Sequence, residues 1–72
     1  MTGTMSNWIA YTFHDGSLTE GVFEYESLTL YQAIEEMMAE MQPGEYGFVV
    51  DASTEVIRVE VSRKYAVKYL PD

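Results

Sequence analysis

The sequence has 72 residues, of which 47% are hydrophobic, and it contains no cysteine. A chain of this size forms one domain that buries only about 60% of the surface its unfolded form exposes. The lack of cysteine excludes disulfides and thiolate zinc sites, and no apolar run reaches the roughly 18 residues of a membrane span. We expect a flexible leader at residues 1–6 and a single cytoplasmic domain over residues 7–70.

Charge is distributed unevenly along the chain. Twelve acidic and four basic residues give a formal net charge of −8. Residues 1–57 contain ten of the carboxylates and no Lys or Arg, which gives this part a charge of −10. The remainder has two carboxylates and all four cations, at Arg58, Arg63, Lys64 and Lys68, and a charge of +2. We therefore expect a dipolar molecule with one broad acidic region and a small mixed end.

The first elements form a hairpin. Residues 7–13 (NWIAYTF) alternate and are rich in aromatic and β-branched residues, which predicts a strand. Residues 14–17 predict a turn, and residues 18–26 predict the returning strand.

Two turn geometries give this hairpin opposite faces. A three-residue loop with Gly16 as the bulge residue places one apolar set on the buried face: Ile9, Tyr11, Phe13, Phe23 and Tyr25. A two-residue turn instead places Glu20 and Glu24 beside Ile9 and Tyr11. Because burying unpaired carboxylates is unfavourable, we predict the bulged turn. The outer face then presents Trp8, Ala10, Thr12, Glu20, Val22 and Glu24.

A helix follows the hairpin. Thr29 and Gln32 have the spacing of a capping box, and Pro43-Gly44 predicts the stop, so the helix spans residues 30–42. A buried stripe recurs at the helical period, at Leu30, Ile34, Met37 and Met41. We expect it to pack against Phe23, Phe48 and Val59. The outward positions are Gln32, Glu35, Glu36, Ala39 and Glu40.

The last third of the chain predicts strands. Residues 46–51 form a third strand, with Tyr46, Phe48 and Val50 on one face. Residues 55–62 form a fourth strand, with Ile57, Val59 and Val61 inward. Residues 65–70 either add a short fifth strand or extend the fourth. The order ββαββ with short connections indicates a two-layer α+β fold, an antiparallel sheet of four or five strands with one helix on one face.

Residues suited to catalysis are sparse. His14 is the only histidine and lies in the polar turn, and no serine has a plausible base nearby. The glycine spacing matches no phosphate-binding loop, and no Asp-rich loop offers a calcium site. We therefore expect no enzymatic activity, no cofactor and no metal.

The acidic region is the candidate binding surface. Its helix presents only negative charge, which forgoes stabilising i,i+4 pairs. A compact domain of this length is about 29 Å across, a distance over which one DNA strand has about eight phosphates. A net charge of −8 is comparable, although solubility alone is an alternative reason for it. The candidate partner-binding residues are Asp15, Glu20, Glu24, Glu26, Glu35, Glu36, Glu40 and Glu45.

In length, acidity and hairpin–helix–hairpin plan, residues 7–70 resemble small phage-encoded inhibitors of bacterial defence, especially acidic anti-CRISPR proteins. The resemblance rests on these general properties and on no shared motif. It implies a stoichiometric inhibitor that blocks the DNA-binding groove of a CRISPR effector complex. The expected partner is a basic nucleic-acid-binding protein rather than nucleic acid itself, because phosphates would meet charge of the same sign.

Two other function classes are alternatives. One is an adaptor or homodimeric interaction module that uses apolar contacts, with Trp8 and Val22 on the outer sheet face as anchors or an exposed edge strand as the dimer contact. Trp8 also has a structural interpretation, as a cap on the open end of the core. The other class is a small-ligand domain, for which the sequence indicates no cavity. We expect a monomer or a weak homodimer, and salt dependence distinguishes charge mimicry from apolar binding.

Overall fold

The computed structural model describes residues 5–14 and 17–71, and for residues 17–21 only the backbone. In chain order its elements are β1 (Ser6–His14), β2 (Ser17–Leu28), α1 (Leu30–Glu40), β3 (Tyr46–Asp51), β4 (Ile57–Val61) and β5 (Val67–Tyr69). The strands form one antiparallel sheet in the order β2-β1-β3-β4-β5, and α1 packs on one face of it against β1, β2 and β3. The predicted α+β fold is confirmed, with residues 67–69 as a fifth strand.

The start of the chain bears on the predicted leader. Residues 1–4 lie outside the described residues, and β1 begins at Ser6, which pairs with Leu28 of β2.

Local sequence determines α1 as predicted, except at its end. Thr29 Oγ1 accepts a hydrogen bond from Gln32 N at 3.2 Å, and Gln32 Oε1 accepts one from Thr29 N at 2.9 Å. The helix ends at Glu40, two residues before the predicted position, because Met41 has an extended backbone with ψ 137°. Ile34, Met37 and Met41 are buried, Leu30 is half-buried, and the predicted outward positions are exposed.

The core lies between α1 and the helix-facing side of the sheet. The strands contribute Trp8, Ala10, Val49, Val59 and Val61, with Phe23 and Tyr25 half-buried against them. The Trp8 indole Nε1 donates a hydrogen bond to the Leu28 carbonyl at 2.8 Å, which fixes β1 to the end of β2.

The faces of β1 are the reverse of the prediction. Trp8 is 5% exposed, and Ala10 and Thr12 are completely buried beneath the helix layer. Ile9, Tyr11 and Phe13 lie on the opposite side and are only half-buried. Both faces of this strand are apolar, so alternation alone does not identify the inner one. Beyond Trp8, which lies near the start of the strand, the side under the helix has the small residues Ala10 and Thr12, because α1 approaches the backbone closely there.

The hairpin register explains the same reversal. His14 pairs with Ser17, so two residues connect the strands; these two, Asp15 and Gly16, lie outside the described residues. A register shift between Thr12 and Phe13 then places Ile9 opposite Glu24. The predicted bulged turn is therefore wrong. The prediction assumed that the face with Ile9 is buried, whereas it is open and leaves Glu24 exposed.

The later strands show the same inversion in part. Tyr46, Phe48 and Val50 share one face as predicted, but they pair with Phe13, Tyr11 and Ile9, on the side opposite α1. The expected contact of the helix stripe with Phe48 is therefore wrong, and Val49 takes that place in the core.

In β4 the prediction holds for two of the three residues. Val59 and Val61 are completely buried, as predicted. A register shift between Val49 and Val50 pairs Val50 with Ile57, and Ile57 is 42% exposed rather than inward.

Gly47 marks the closest approach of helix and sheet. A Cβ at this position would lie 2.8 Å from the Tyr11 carbonyl oxygen and 2.9 Å from Met37 Sδ. We expect Gly47→Ala to lower the free energy of unfolding by about 1–3 kcal/mol through overpacking, as measured by urea denaturation. Thr54→Ala, in an exposed turn, is the control and should change stability by less than about 0.5 kcal/mol. Unchanged stability of Gly47→Ala would contradict the close approach.

Candidate functional site

The strand order converts the uneven charge of the sequence into a spatial dipole. β2 forms one edge of the sheet, and β4 and β5 form the other side, with Arg58 on β4 and Lys68 on β5. Four strand spacings of about 4.8 Å place β2 and β5 about 19 Å apart. This distance exceeds the Debye length of about 8 Å at physiological salt. The two edges therefore present separate electrostatic surfaces.

Four exposed carboxylates meet around β2 and form what we call the acidic edge: Glu24, Glu26, Glu36 and Glu40. Glu24 precedes Tyr25, whose side chain packs on the core, so alternation directs Glu24 to the opposite side of the sheet. Glu26 follows Tyr25 at the register shift near the end of β2 and is exposed. Glu36 and Glu40 lie on the flank of α1 nearest β2, since both carboxylates act on the Tyr25 hydroxyl. The acidic edge thus combines residues from both layers of the fold.

The carboxylates of the acidic edge influence the pKa of Tyr25. Burial raises the pKa of its phenol above the ordinary value, and the carboxylates of Glu40 and Glu36 raise it further. The hydroxyl is buried and has no hydrogen-bond partner within residues 5–14 and 17–71. A tyrosinate at this position would lose hydration and face two negative charges. The raised pKa of Tyr25 therefore shows that Glu36 and Glu40 disfavour an added negative charge beside them.

The raised pKa of Tyr25 predicts a loss of stability at high pH. The neutral phenol stabilises the fold fully below the unfolded pKa of about 10, and this stabilisation is lost as pH rises through the higher folded pKa. We expect Tyr25→Phe to lose less stability than wild type between pH 7 and pH above about 10. At pH 7 the variant should match wild type or gain up to about 1 kcal/mol, because an unpaired buried hydroxyl is removed.

Urea denaturation at the two pH values checks this prediction. Tyr65→Phe, at a position that is 41% exposed, is the matched control and should keep the wild-type loss. An identical alkaline loss in Tyr25→Phe would contradict the electrostatic account.

Glu35 does not join the acidic edge. It lies about 100° around the helix from Glu36, towards the flank where Tyr31 contacts Tyr69 of β5 with ring centroids 6.2 Å apart. Its exposed carboxylate is therefore on the side of α1 that faces away from β2.

Glu45 is removed from the surface altogether. It is 3% exposed, and its Oε1 accepts a hydrogen bond from Gln42 N at 2.8 Å. The same two residues are joined by the Glu45 N to Gln42 O hydrogen bond at 3.0 Å. Glu45 thus closes the loop after α1, in which Gly44 has φ +89°. Of the other predicted residues, Asp15 and the side chain of Glu20 lie outside the described part of the structure.

The sequence analysis missed a second surface, the sheet face opposite α1. Its centre is an aromatic face of four half-buried rings: Tyr11, Phe13, Tyr46 and Phe48. Phe13 stacks on Tyr46 at 5.5 Å and meets Phe48 edge-on at 5.7 Å, and Tyr46 and Phe48 are 6.0 Å apart. The Arg63 guanidinium lies 4.7 Å from the Tyr46 ring centroid. In β1, large residues on one side alternate with Ala10 and Thr12 on the other. This difference in size was the signal in the sequence that could have predicted the aromatic face.

The predicted apolar anchors separate. Trp8 is buried and hydrogen-bonded, so it closes the core and does not present a surface anchor. Val22 is 47% exposed and lies on the sheet face opposite α1, as predicted. It pairs with Tyr11, so its neighbours there are the rings of the aromatic face rather than Trp8. An open groove of about 510 Å³ adjoins this face, lined in part by Tyr46, Glu60, Arg63 and Lys68.

Comparison with protein-family models, curated proteins and solved structures found no match to this chain. In the part of the chain that the structure describes, no helix is long and apolar enough to cross a membrane. Within the same residues no three His, Asp or Glu side chains are grouped as a metal ion would require.

Proposed function

We propose that this protein is a non-enzymatic inhibitor that presents the acidic edge to a basic nucleic-acid-binding protein. The observation that supports this function is the grouping of Glu24, Glu26, Glu36 and Glu40 on one side of the fold, with Arg58 and Lys68 on the opposite side. A basic groove would repel the cations of this protein. Because these cations lie at the far edge of the sheet, they do not hinder the approach of the acidic edge to such a groove.

The spacing of the carboxylates suits a site built for phosphates. Glu24 and Glu26 are two strand positions apart, or about 7 Å. Glu36 and Glu40 are four helical positions apart, or about 6 Å along the axis. Neighbouring phosphates of one DNA strand advance about 3.4 Å along the helix axis and, because the strand winds around that axis, lie roughly twice as far apart in space, a spacing similar to that of the carboxylates. Rows of Lys and Arg side chains that bind phosphates can therefore pair with these carboxylates.

The resemblance to acidic anti-CRISPR proteins makes a CRISPR effector complex the first target to test. The experiment measures binding of labelled duplex DNA by a purified effector complex while this protein is titrated. We expect stoichiometric inhibition, protection when DNA is bound first, and a steep loss of inhibition as salt rises, because charged contacts are screened. Inhibition by this protein at amounts far below those of the effector complex would contradict the proposal. Inhibition that is insensitive to salt and to prior DNA binding would also contradict it.

An apolar interaction module is the second candidate function, and the aromatic face supports it. Contiguous exposed apolar surface marks interaction sites, and Trp8, the anchor first expected, is buried. Binding through this face would change little with salt and would be lost in Phe48→Lys. Binding through the acidic edge would show the opposite behaviour in both measurements.

A further inference from the structure

In the part of the chain that the structure describes, no helix covers the sheet face around the aromatic face, since α1 packs on the opposite side. One row across the sheet is fixed by the strand registers: Val22, Tyr11, Phe48, Glu60 and Lys68. Lys68, at the β5 end of the row, is exposed. Near the β2 end, Glu24 lies two residues from Val22 on the same side of the sheet and is also exposed. The apolar centre is thus flanked by a carboxylate at one edge and an ammonium group at the other.

This charge pattern selects one way of covering the face with a second copy. Two sheets can stack face to face about a two-fold axis that runs either across the strands or along them. An axis across the strands, along this row, places each strand over itself and sets Glu60 against Glu60 and Lys68 against Lys68 of the second copy. An axis along β3, the middle strand, places β2 over β5, so that Val22 comes over Lys68 of the second copy. Glu24, two residues along β2 and about 7 Å from that point, lies within reach of the long lysine side chain. Only the second arrangement opposes unlike charges.

The row across the sheet supports the same axis. With the axis along β3, Phe48 meets Phe48 of the second copy at the centre, where an aromatic pair is favourable. Tyr11 comes over Glu60 of the second copy, so that a phenol donor faces a carboxylate acceptor. The arrangement is self-complementary, as a two-fold interface requires.

We propose that the aromatic face is a self-association surface on which two copies stack about an axis along β3. Five strands of about 4.8 Å and a strand length of about 20 Å give a flat area of about 480 Å² per copy. Stable interfaces bury about 800 Å² per partner, so the dimer is weak and forms with rising concentration. Helix α1, with Glu36 and Glu40, points outward in both copies, whereas Glu24 belongs to both this face and the acidic edge. The inference does not rest on the proposed inhibitor function, because its test measures self-association alone.

Sedimentation velocity on the full chain, from about 10 µM to about 1 mM, tests the proposal. We expect a monomer–dimer equilibrium in the wild type and at least a tenfold weakening in Phe48→Lys. Glu24→Lys and Lys68→Glu should each weaken the dimer several-fold, whereas the double variant should return to within about twofold of wild type, because the opposed charges are exchanged. Tyr31→Lys, at a 65% exposed aromatic on the helix side, is the matched control and should leave dimerisation unchanged.

A measurement without substitutions keeps the proposal testable if Phe48→Lys does not fold. Concentration-dependent NMR shifts of the wild type should map to Ile9, Tyr11, Phe13 and Phe48. A monomer at every concentration would overturn the proposal, as would shifts confined to the edge strands or a dimer that tolerates both charge reversals. Shifts of the aromatic face on addition of a single-stranded oligonucleotide, without self-association, would also overturn it and assign the face to base stacking.

Discussion

Reversing the two helix carboxylates of the acidic edge, Glu36→Lys with Glu40→Lys, is expected to weaken inhibition or partner binding at least tenfold, about 1.4 kcal/mol. Both side chains are exposed, so the buried helix stripe is untouched. The fold should tolerate the change, because a Lys–Lys pair replaces the Glu–Glu pair at the same i,i+4 spacing and a cation near the C-terminal end of α1 is favoured by the helix dipole. The loss reflects contacts with basic partner groups, which cost about 2–5 kcal/mol when one partner of a desolvated pair is removed.

A matched variant separates local charge from net charge. Glu55→Lys with Glu60→Lys changes two carboxylates away from β2. This double variant and the helix double variant each change the formal net charge from −8 to −4. The control double should retain most of the binding, and Glu35→Lys, on the other flank of α1, should have a smaller effect than Glu36→Lys. Glu24→Lys with Glu26→Lys tests the strand side of the acidic edge. If both acidic-edge doubles bind at wild-type strength regardless of salt, the mimicry proposal is wrong.

Met37→Ala is expected to lower the free energy of unfolding by about 2–5 kcal/mol. Met37 is completely buried, and its Sδ lies where a Cβ at Gly47 would come within 2.9 Å, so truncation leaves a cavity at the centre of the helix–sheet interface. A domain of this size has a total stability of roughly 4–11 kcal/mol. The variant should therefore unfold at least about 8 °C below wild type, as measured by thermal denaturation.

Met38→Ala provides the control for this prediction, since the same substitution at the adjacent, half-buried position should cost clearly less. Combining Met37→Ala with Gly47→Ala gives a second check. The added methyl group enters space that the methionine leaves, so the double variant should lose less than the sum of the two single changes. Additive losses would contradict the proposed contact between these two positions.

Local chemistry in the sequence was sufficient for the helix. Thr29 and Gln32 fix its start through reciprocal hydrogen bonds between residues three apart, and Ile34 and Met37 lie on the predicted buried stripe. These interactions depend on short sequence separations and a single period, so no distant residue was needed to predict them. The segregation of charge was equally readable, because the cations all follow residue 57.

The candidate site was only partly predictable. Exposure of Glu24, Glu26, Glu36 and Glu40 followed from alternation and helical periodicity. Their convergence around β2 did not, because it depends on which flank of α1 lies over that strand. Glu45 was misplaced because its burial depends on a loop hydrogen bond to Gln42, and nothing in a pattern of charges distinguishes such a carboxylate from a solvated one.

The sequence by itself therefore determined the α+β class, the helix with its cap and stripe, and an acidic chain with its cations at one end. Only the tertiary structure decided which face of the sheet is inner. Ile9, Tyr11 and Phe13 are the larger apolar residues, yet Ala10, Thr12 and Gly47 lie on the side beneath the helix layer. The reason is steric: where Met37 approaches Gly47 closely, the side chains beneath the helix must be small, so the rings of Tyr11 and Phe13 take the open face. Trp8 fits on the inner face because it lies at the end of the core, where its indole bonds the Leu28 carbonyl.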